Sequence, residues 1–490
     1  QDMQVRRNHR ILILIFLVVL SAELYFSLQT PYLDNSGYLV ERYTQNVLET
    51  GKPLFYDTLS YNGREVLYSP LWHYVLAIFG LVFGSFAFKL VPALVSSSIV
   101  LVVYLLSKKI VDNDELALFI ALMSGFIPVV FVDSLISASV YSLAIPLMFY
   151  LIYLFMDLNE KKVGVFLTLS FFLSLLHPVS ILFSLGLMVY YLLSLSENMK
   201  IPTLNLEVMA FTFVSTFLIQ FLIYKKAFLE YGFSVIWHNV PSQILWSYFD
   251  FDIFGMLYRV GALTLIFGLI GIIWGIIKRK DRIMLLCGFA LATLILLWLR
   301  LLEPRIGMMF LSVALVVASA FTLNLFLNYL GKTKLPHYRL SFIMIVLGLI
   351  ISSLAVPSFV LASKHIKEDV PSGYELLVLR WIRENALPDV TIVAPLGKGH
   401  IMTALAGKRT VLDDNFLLAP ETSERYGDIE RLYSTKSEVE ALEIIAKYNI
   451  DYVFIPIETE LEYGKVKWTD DESCFRGIFF GTPKVYQVIC

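Results

Sequence analysis

Eleven apolar runs, divided by short charged clusters, constrain this chain more than any other feature. They fall near Ile11–Ser27, Lys89–Ser107, Glu115–Phe131, Tyr141–Met156, Val163–Leu176, Val179–Leu195, Val208–Tyr224, Phe254–Ile277, Ile283–Leu299, Ile306–Leu330 and Leu340–Ala362. A helix needs about 20 apolar residues to cross about 30 Å of hydrocarbon, and these runs approach or exceed that. The residues are 57% hydrophobic and 16% charged, where soluble domains carry about 25% charge. A polytopic α-helical membrane protein of about 11 spans is therefore expected, with some soluble mass. The net charge of −2 offers no basic excess to offset phosphates, so nucleic acid is not an expected partner. The first run lacks a small-residue cleavage site and reads as a retained span.

Basic residues orient the runs. Leu71–Gly84 has about 14 residues, short for a span, and counting it would invert everything downstream. With it set aside as a helix in the outer interface, Arg6, Arg7, Arg10, Lys108, Lys109, Lys161, Lys162, Lys200, Lys278–Lys280, Arg282, Lys332 and Lys334 all face the cytoplasm. That is the expected positive-inside arrangement of a multi-pass protein of the cell membrane. The N-terminus is then cytoplasmic, and the outside holds a first loop (28–88), loops near Asp133 and at Lys225–Asp252, the turn Arg300–Arg305, and the tail. Within the first loop, Ser36–Glu49 reads as an amphipathic helix with Tyr38, Leu39, Tyr43, Val47 and Leu48 on its apolar face and Gly51 as its stop.

Residues 1–362 thus form a transmembrane domain, and 363–490 an extracytoplasmic domain of different character. The tail alternates a helical pattern at Glu375–Glu384, strands at Val390–Pro395 and Arg409–Leu412, a helix at Ser437–Tyr448 and a strand at Asp451–Pro456. Such alternation predicts a small α/β domain with a partly parallel sheet. The three cysteines make no zinc pattern. Cys287 reads as packed in a span, and Cys474 and Cys490 are placed to pair if the tail is extracytoplasmic.

The chemistry concentrates on the segment Thr30-Pro-Tyr-Leu-Asp34-Asn-Ser-Gly-Tyr38, delivered by the first span to the depth where head groups meet water. Asp34 has two readings there: the N-cap of the following helix, or a carboxylate that takes a proton from an attacking hydroxyl or ligates a divalent cation. Arg305, in Leu301-Leu-Glu303-Pro-Arg305, presents a planar fork suited to phosphate oxygens; snorkelling or pairing with Glu303 are its bland alternatives. Arg300 is a weaker version of the same reading. Tyr38, Asp133, His177, His238 and Glu303 complete the candidate substrate-binding set. For His177, before Pro178, a structural role is the better reading, and the aromatic loop around Trp237 and His238, with Asp250 and Asp252, also suits an interfacial belt.

The pattern Asp34-x-x-x-Tyr38, Gly51-Lys-Pro53, Tyr61-Asn-Gly63 and Tyr68-Ser-Pro-Leu-Trp-His-Tyr-Val-Leu-Ala resembles the first external loop of GT-C membrane glycosyltransferases. In the tail, Leu379-Arg-Trp-Ile-Arg-Glu-Asn385, Gly397-Lys-Gly-His400, Lys408-Arg-Thr-Val-Leu-Asp413-Asp-Asn415 and Lys447-Tyr-Asn-Ile-Asp-Tyr-Val453 resemble the archaeal oligosaccharyltransferase branch. The likeness covers most of the chain. It implies a GT-C fold, a catalytic acid at Asp34 and a lipid-phosphate arginine at Arg305. Three departures accompany it. Ala394-Pro-Leu-Gly397-Lys-Gly stands where oligosaccharyltransferases carry Trp-Trp-Asp-Tyr-Gly, Tyr141 stands near the place of a metal-binding acid, and the loop that clamps peptide is cut to Leu301–Arg305.

The resemblance thus implies an inverting glycosyltransferase, with a hexosyl group expected, that moves a monosaccharide from a polyprenyl- or dolichyl-phosphate carrier. The implied acceptor is a lipid-linked glycan or glycolipid. No cofactor is required on this reading, and no metal ligands are assigned; Mg or Mn belongs to the alternative of an oligosaccharyltransferase-like protein glycosyltransferase. From other classes stand a lipid-linked sugar transporter or flippase and a non-catalytic glycolipid-binding subunit. Transporters favour mid-membrane ionisable groups and paired repeats; here charges gather at helix ends, Arg259 being the deepest, and no repeat is evident.

Overall fold

The computed structural model describes residues 2–248, 252–332 and 336–490, leaving Asp250 and Lys334 outside. The chain divides into two compact units. One comprises residues 1–31, 69–223 and 248–367; the other comprises 32–68, 224–247 and 368–490. The second unit therefore takes in most of the first loop and the 224–247 segment together with the tail.

Every expected apolar run in the first unit is helical, but two are broken. Asp114–Ser124 and Pro128–Ile136 meet at 51°, and Ile253–Val260 and Ala262–Ile277 at 81°. Pro128 cannot donate a backbone hydrogen bond into a continuing helix. Gly261, at φ +92°, adopts a conformation that costs a side-chain-bearing residue dearly. The expected single spans Glu115–Phe131 and Phe254–Ile277 are thus each two helices. Six helices are long and apolar enough to cross a membrane, or up to eight with each bent pair counted as one span; Tyr141–Met156 and Ser180–Ser196 are shorter apolar helices. Leu71–Phe83 is a 13-residue helix that runs on through a turn at Gly84–Phe86 to Ala87–Ser97 and Ile99–Ile110.

Polar bonds between helices hold this unit where hydrophobic burial discriminates little. Thr322 Oγ1 donates to Phe267 O (2.8 Å), Gln220 Nε2 to Ser174 O (2.6 Å), Ser358 Oγ to Phe126 O (2.9 Å) and Trp72 Nε1 to Ala138 O (2.8 Å). The charged residues sort by end. Arg7 pairs with Glu115 (3.4 Å), Asn8 donates to Asp114 (2.8 Å), and Lys108 pairs with Asp114 (2.9 Å). Lys109 and Arg282 share Asp157, and Arg279 pairs with Glu197 (3.3 Å). The clusters at Arg7, Lys108–Lys109 and Arg279–Arg282 therefore gather at one end of the helical unit.

The second unit is built on a five-stranded mixed sheet. With β1 (Tyr56–Asp57) and β2 (Arg64–Glu65) forming a separate ribbon, the strands are β3 (Thr391–Val393), β4 (Arg409–Thr410), β5 (Tyr452–Ile455), β6 (Phe475–Phe479) and β7 (Lys484–Val488), in the order β4-β3-β5-β7-β6. β3 runs parallel to β4 and β5, whereas β7 is antiparallel to β5 and β6. The Asn35–Thr50 helix buries Tyr38, Tyr43 and Val47, on the apolar face its periodicity predicts.

Cys474 and Cys490 form a disulfide, with Cα atoms 4.8 Å apart and 16 residues apart in sequence. Closing a loop of about that length stabilises by roughly 3 kcal/mol. Reduction of the intact protein is expected to speed limited proteolysis within the last two strands; an unchanged cleavage rate under dithiothreitol would show that β6 and β7 hold without the bridge.

Candidate active-site residues

At the end of the helical unit opposite the Arg7–Asp157 cluster, Asp133 and Arg305 meet. Asp133 lies in the Pro128–Ile136 helix and is buried; Arg305 lies in the first turn of Pro304–Gly331 with a half-buried side chain. Arg305 Nη2 donates to Asp133 Oδ1 at 2.8 Å. Pro304 starts that helix, where its missing N–H costs nothing, and so fixes where the arginine leaves the backbone. Of the partners weighed for Arg305, this ion pair to Asp133 is one that sequence spacing did not suggest, because 172 residues separate the two.

Neighbouring residues at this end are structural. His177 ends the Glu160–Leu176 helix in an extended conformation. Its Nδ1 accepts the N–H of Val179 (3.1 Å), and its Nε2 lies 3.5 Å from the Tyr141 hydroxyl. The ring of Tyr141 also packs edge-on against His177 and Phe310. Arg300 holds a left-handed backbone (φ +57°) in the turn, and Glu303 occupies the N-cap position of the Pro304 helix without a side-chain cap bond. The first helix, Asp2–Ser27, ends at this same end, since Ser27 Oγ donates to Leu135 O (2.6 Å). Lys89 Nζ donates to Ser27 O (2.8 Å) and to Thr30 O, satisfying carbonyls that the helix end leaves open.

The second unit holds Asp34. It caps the Asn35–Thr50 helix, its Oδ1 accepting the Gly37 N–H at 2.7 Å, and it is 6% exposed. A carboxylate offers about four lone-pair sites on two oxygens, so one cap bond does not consume its capacity as a base. Tyr38, one turn further on, is buried at 4% exposure. That packing, in a setting where burial pushes its phenol up, corrects its reading as a substrate contact. His238 is exposed in a left-handed turn (φ +52°) at the end of Gly232–Trp237.

Around Asp34 lies a charged network absent from the sequence reading. Asn35 Oδ1 accepts the N–H groups of His400 (3.0 Å) and Ile401 (3.2 Å), and its Nδ2 donates to Asp414 (3.2 Å). His400, 1% exposed, has Nε2 2.6 Å from Asp414 Oδ1 and Nδ1 3.9 Å from Asp413 Oδ2. Neither nitrogen points its hydrogen well at an acceptor, so charge rather than bond direction couples the ring to the two acids. Burial opposes the imidazolium, yet Asp413 and Asp414 raise the His400 pKa above the ordinary histidine value. Arg42 and Asp57 pair through both their ends. Burial alone would raise the Asp57 carboxyl; Arg42 and the N–H groups of Leu59 and Ser60 bring it below its ordinary value. Gly399 is required here, because a Cβ on it would meet Asp413 Cβ at 2.5 Å and Leu412 O at 2.6 Å.

These acids do not compose a preformed metal cage. Asp133 faces a guanidinium, and Asp413 and Asp414 face Arg64, His400 and Asn35. Among the described residues, Glu438, Asp471 and Cys474 are close enough to share an ion, but Cys474 is bound in the disulfide. No step below is routed through a metal.

Fold and sites together define a GT-C architecture. The chain is similar to the archaeal oligosaccharyltransferase AglB of Archaeoglobus fulgidus, solved with an inhibitory peptide and a dolichol-phosphate, at TM-score 0.69 and 14% identity over 94% of this chain and 72% of that one. It is also similar to ArnT of Cupriavidus metallidurans, solved with undecaprenyl phosphate, at TM-score 0.57 and 13% identity over 98% of both chains. The similarity is one of fold. No family model and no curated protein matches the sequence.

Proposed function

We propose that this chain is an inverting glycosyltransferase that moves a monosaccharide from a polyprenyl- or dolichyl-phosphate carrier to a hydroxyl of a lipid-linked glycan or glycolipid. The carrying observation is Asp34, a buried helix-capping carboxylate. It stands three residues after the chain leaves the helical unit at Pro31, at the end where Arg305 also lies. Solved proteins of this fold hold lipid phosphates, which supports a donor of that class.

In this reaction Asp34 takes the proton of the acceptor hydroxyl as its oxygen bonds to the anomeric carbon. The bond from that carbon to the phosphate oxygen breaks on the opposite face, which inverts the centre, and the lipid phosphate departs with the electron pair. Arg305 supplies the charge that stabilises the departing phosphate. Asp133 holds the guanidinium in orientation from its other side. The topology proposed is that of the sequence: eleven membrane-crossing segments, basic end cytoplasmic, residues 363–490 and the Arg305 turn outside. Divalent metal is not required, so transfer continues in the presence of a chelator.

The test is a comparison of lipid-linked glycans extracted from native membranes with and without the gene. One missing terminal sugar names both donor and acceptor, and complementation by Arg305→Ala is expected to leave it missing. An unchanged glycan profile, with glycosylated protein lost instead and activity abolished by chelator, would favour the protein glycosyltransferase, which the higher TM-score to AglB keeps as the second reading.

A further inference from the structure

We infer that Asn35, His400 and Asp414 are positioning residues that set the orientation of Asp34, and that the charged form of His400 is what closes the arrangement. The inference rests on Asp34 being the catalytic base.

The geometry runs through the backbone. Asp34 and Asn35 are adjacent, so fixing the Asn35 amide fixes the peptide that carries the carboxylate. Three bonds hold that amide: two from consecutive N–H groups of the Gly399–Ile401 turn and one to Asp414. The turn itself is set against Leu412 and Asp413 by the close approach at Gly399. His400 then ties the turn to the acids a second time, with its side chain between Asp413 and Asp414 while its own N–H binds Asn35. A neutral imidazole would leave two acids facing a ring with no well-directed bond to either. An imidazolium satisfies both by charge.

The groups facing His400 are Asp413 and Asp414 from the segment after β4, and Arg42 and Asn35 from the Asn35–Thr50 helix. Arg42 opposes the charge and the two acids favour it more strongly. The direction follows: the imidazolium is present at neutral pH and is lost as pH rises through the raised His400 value. Above that value the turn loosens from Asp413 and Asp414, and Asp34 loses its fixed aim. A base misplaced by about 1 Å loses roughly 100-fold in rate, so a partial release costs turnover without touching donor binding.

The experiment uses the purified full-length chain in lipid nanodiscs, with native membrane lipid extract as donor and acceptor, and follows transfer against pH. Wild type is expected to lose kcat on the alkaline side with little change in KM. His400→Gln is expected to lower kcat about 10- to 100-fold, leave KM in place and remove the alkaline limb; Asn35→Ala is expected to lower kcat similarly. Thermal unfolding of each variant, measured alongside, separates misaiming from unfolding, and Asn35→Ala carries the test if His400→Gln does not fold. If Asp34→Asn is inactive while both variants keep wild-type kcat and the alkaline limb, the positioning role is wrong and the catalytic reading stands. If Asp34→Asn transfers normally, the catalytic reading fails and this inference with it.

Discussion

Asp34→Asn is expected to abolish nearly all transfer while leaving the protein folded. The two halves of that expectation have separate causes. Asparagine caps helices about as well as aspartate, and the bond that counts here is a side-chain oxygen accepting the Gly37 N–H at 2.7 Å. An asparagine Oδ1 keeps that bond. What it removes is basicity, and a positioned general base contributes about 10²–10⁴-fold, which corresponds to about 3–5 kcal/mol of barrier. Asp34→Ala would combine that loss with about 1 kcal/mol of helix stability. A transfer assay paired with a thermal melt reads both. Wild-type transfer by a folded Asp34→Asn protein would reduce Asp34 to a cap.

The largest stability effect is expected from Asp413→Asn. The Asp413 side chain is fully buried, and four groups face it. Ser60 Oγ donates to Oδ2 at 2.5 Å, the Asn415 N–H donates to Oδ1 at 3.0 Å, Arg64 Nη2 lies 3.5 Å from Oδ1, and His400 Nδ1 lies 3.9 Å from Oδ2. Arg64 is buried too, and its remaining donors go to Ser60 Oγ and the carbonyls of Leu417 and Asn415. Neutralising Asp413 leaves a buried guanidinium without its counter-charge, a change that costs about 3–5 kcal/mol. Against a typical total of about 5–15 kcal/mol, the Asp413→Asn tail should be cleaved by protease far faster than wild type. Joint replacement, Asp413→Leu with Arg64→Met, should recover much of the loss, since an apolar pair avoids the desolvation that a buried ion pair carries. Wild-type protease resistance in Asp413→Asn alone would mean that water reaches Arg64.

The helical unit was largely legible because its signals are local. Hydropathy placed Tyr141–Met156 to the residue, and Ser180–Ser196 and Asp281–Trp298 within two residues. Where continuous hydropathy hid a break, at Pro128 and Gly261, the cause was a single residue whose backbone could not continue a helix. In the tail, β3, β4 and β5 lie where β-branched runs pointed. Strands β6 and β7 and the Thr422–Ser434 helix were missed; Phe475–Phe479 is interrupted by Gly477 and only partly buried, which blurs its alternation.

The site divides the same way. The cap at Asp34 and the arginine at a helix start are local facts, and the sequence determined both, along with the membrane class and the amphipathic face of Asn35–Thr50. Only tertiary structure decided that Asp133 is the partner of Arg305. It also decided that residues 32–68 fold with the tail, and that Asn35 is held by Ile401 and Asp414, 366 and 379 residues away. Capping and hydropathy depend on neighbours within a few positions, and any chain prints them in order. A buried ion pair or an amide cradle depends on which distant segments meet, and burial then decides which charges survive there. Asp34 was visible as a residue; the His400 network that aims it was visible only once the chain had closed on itself.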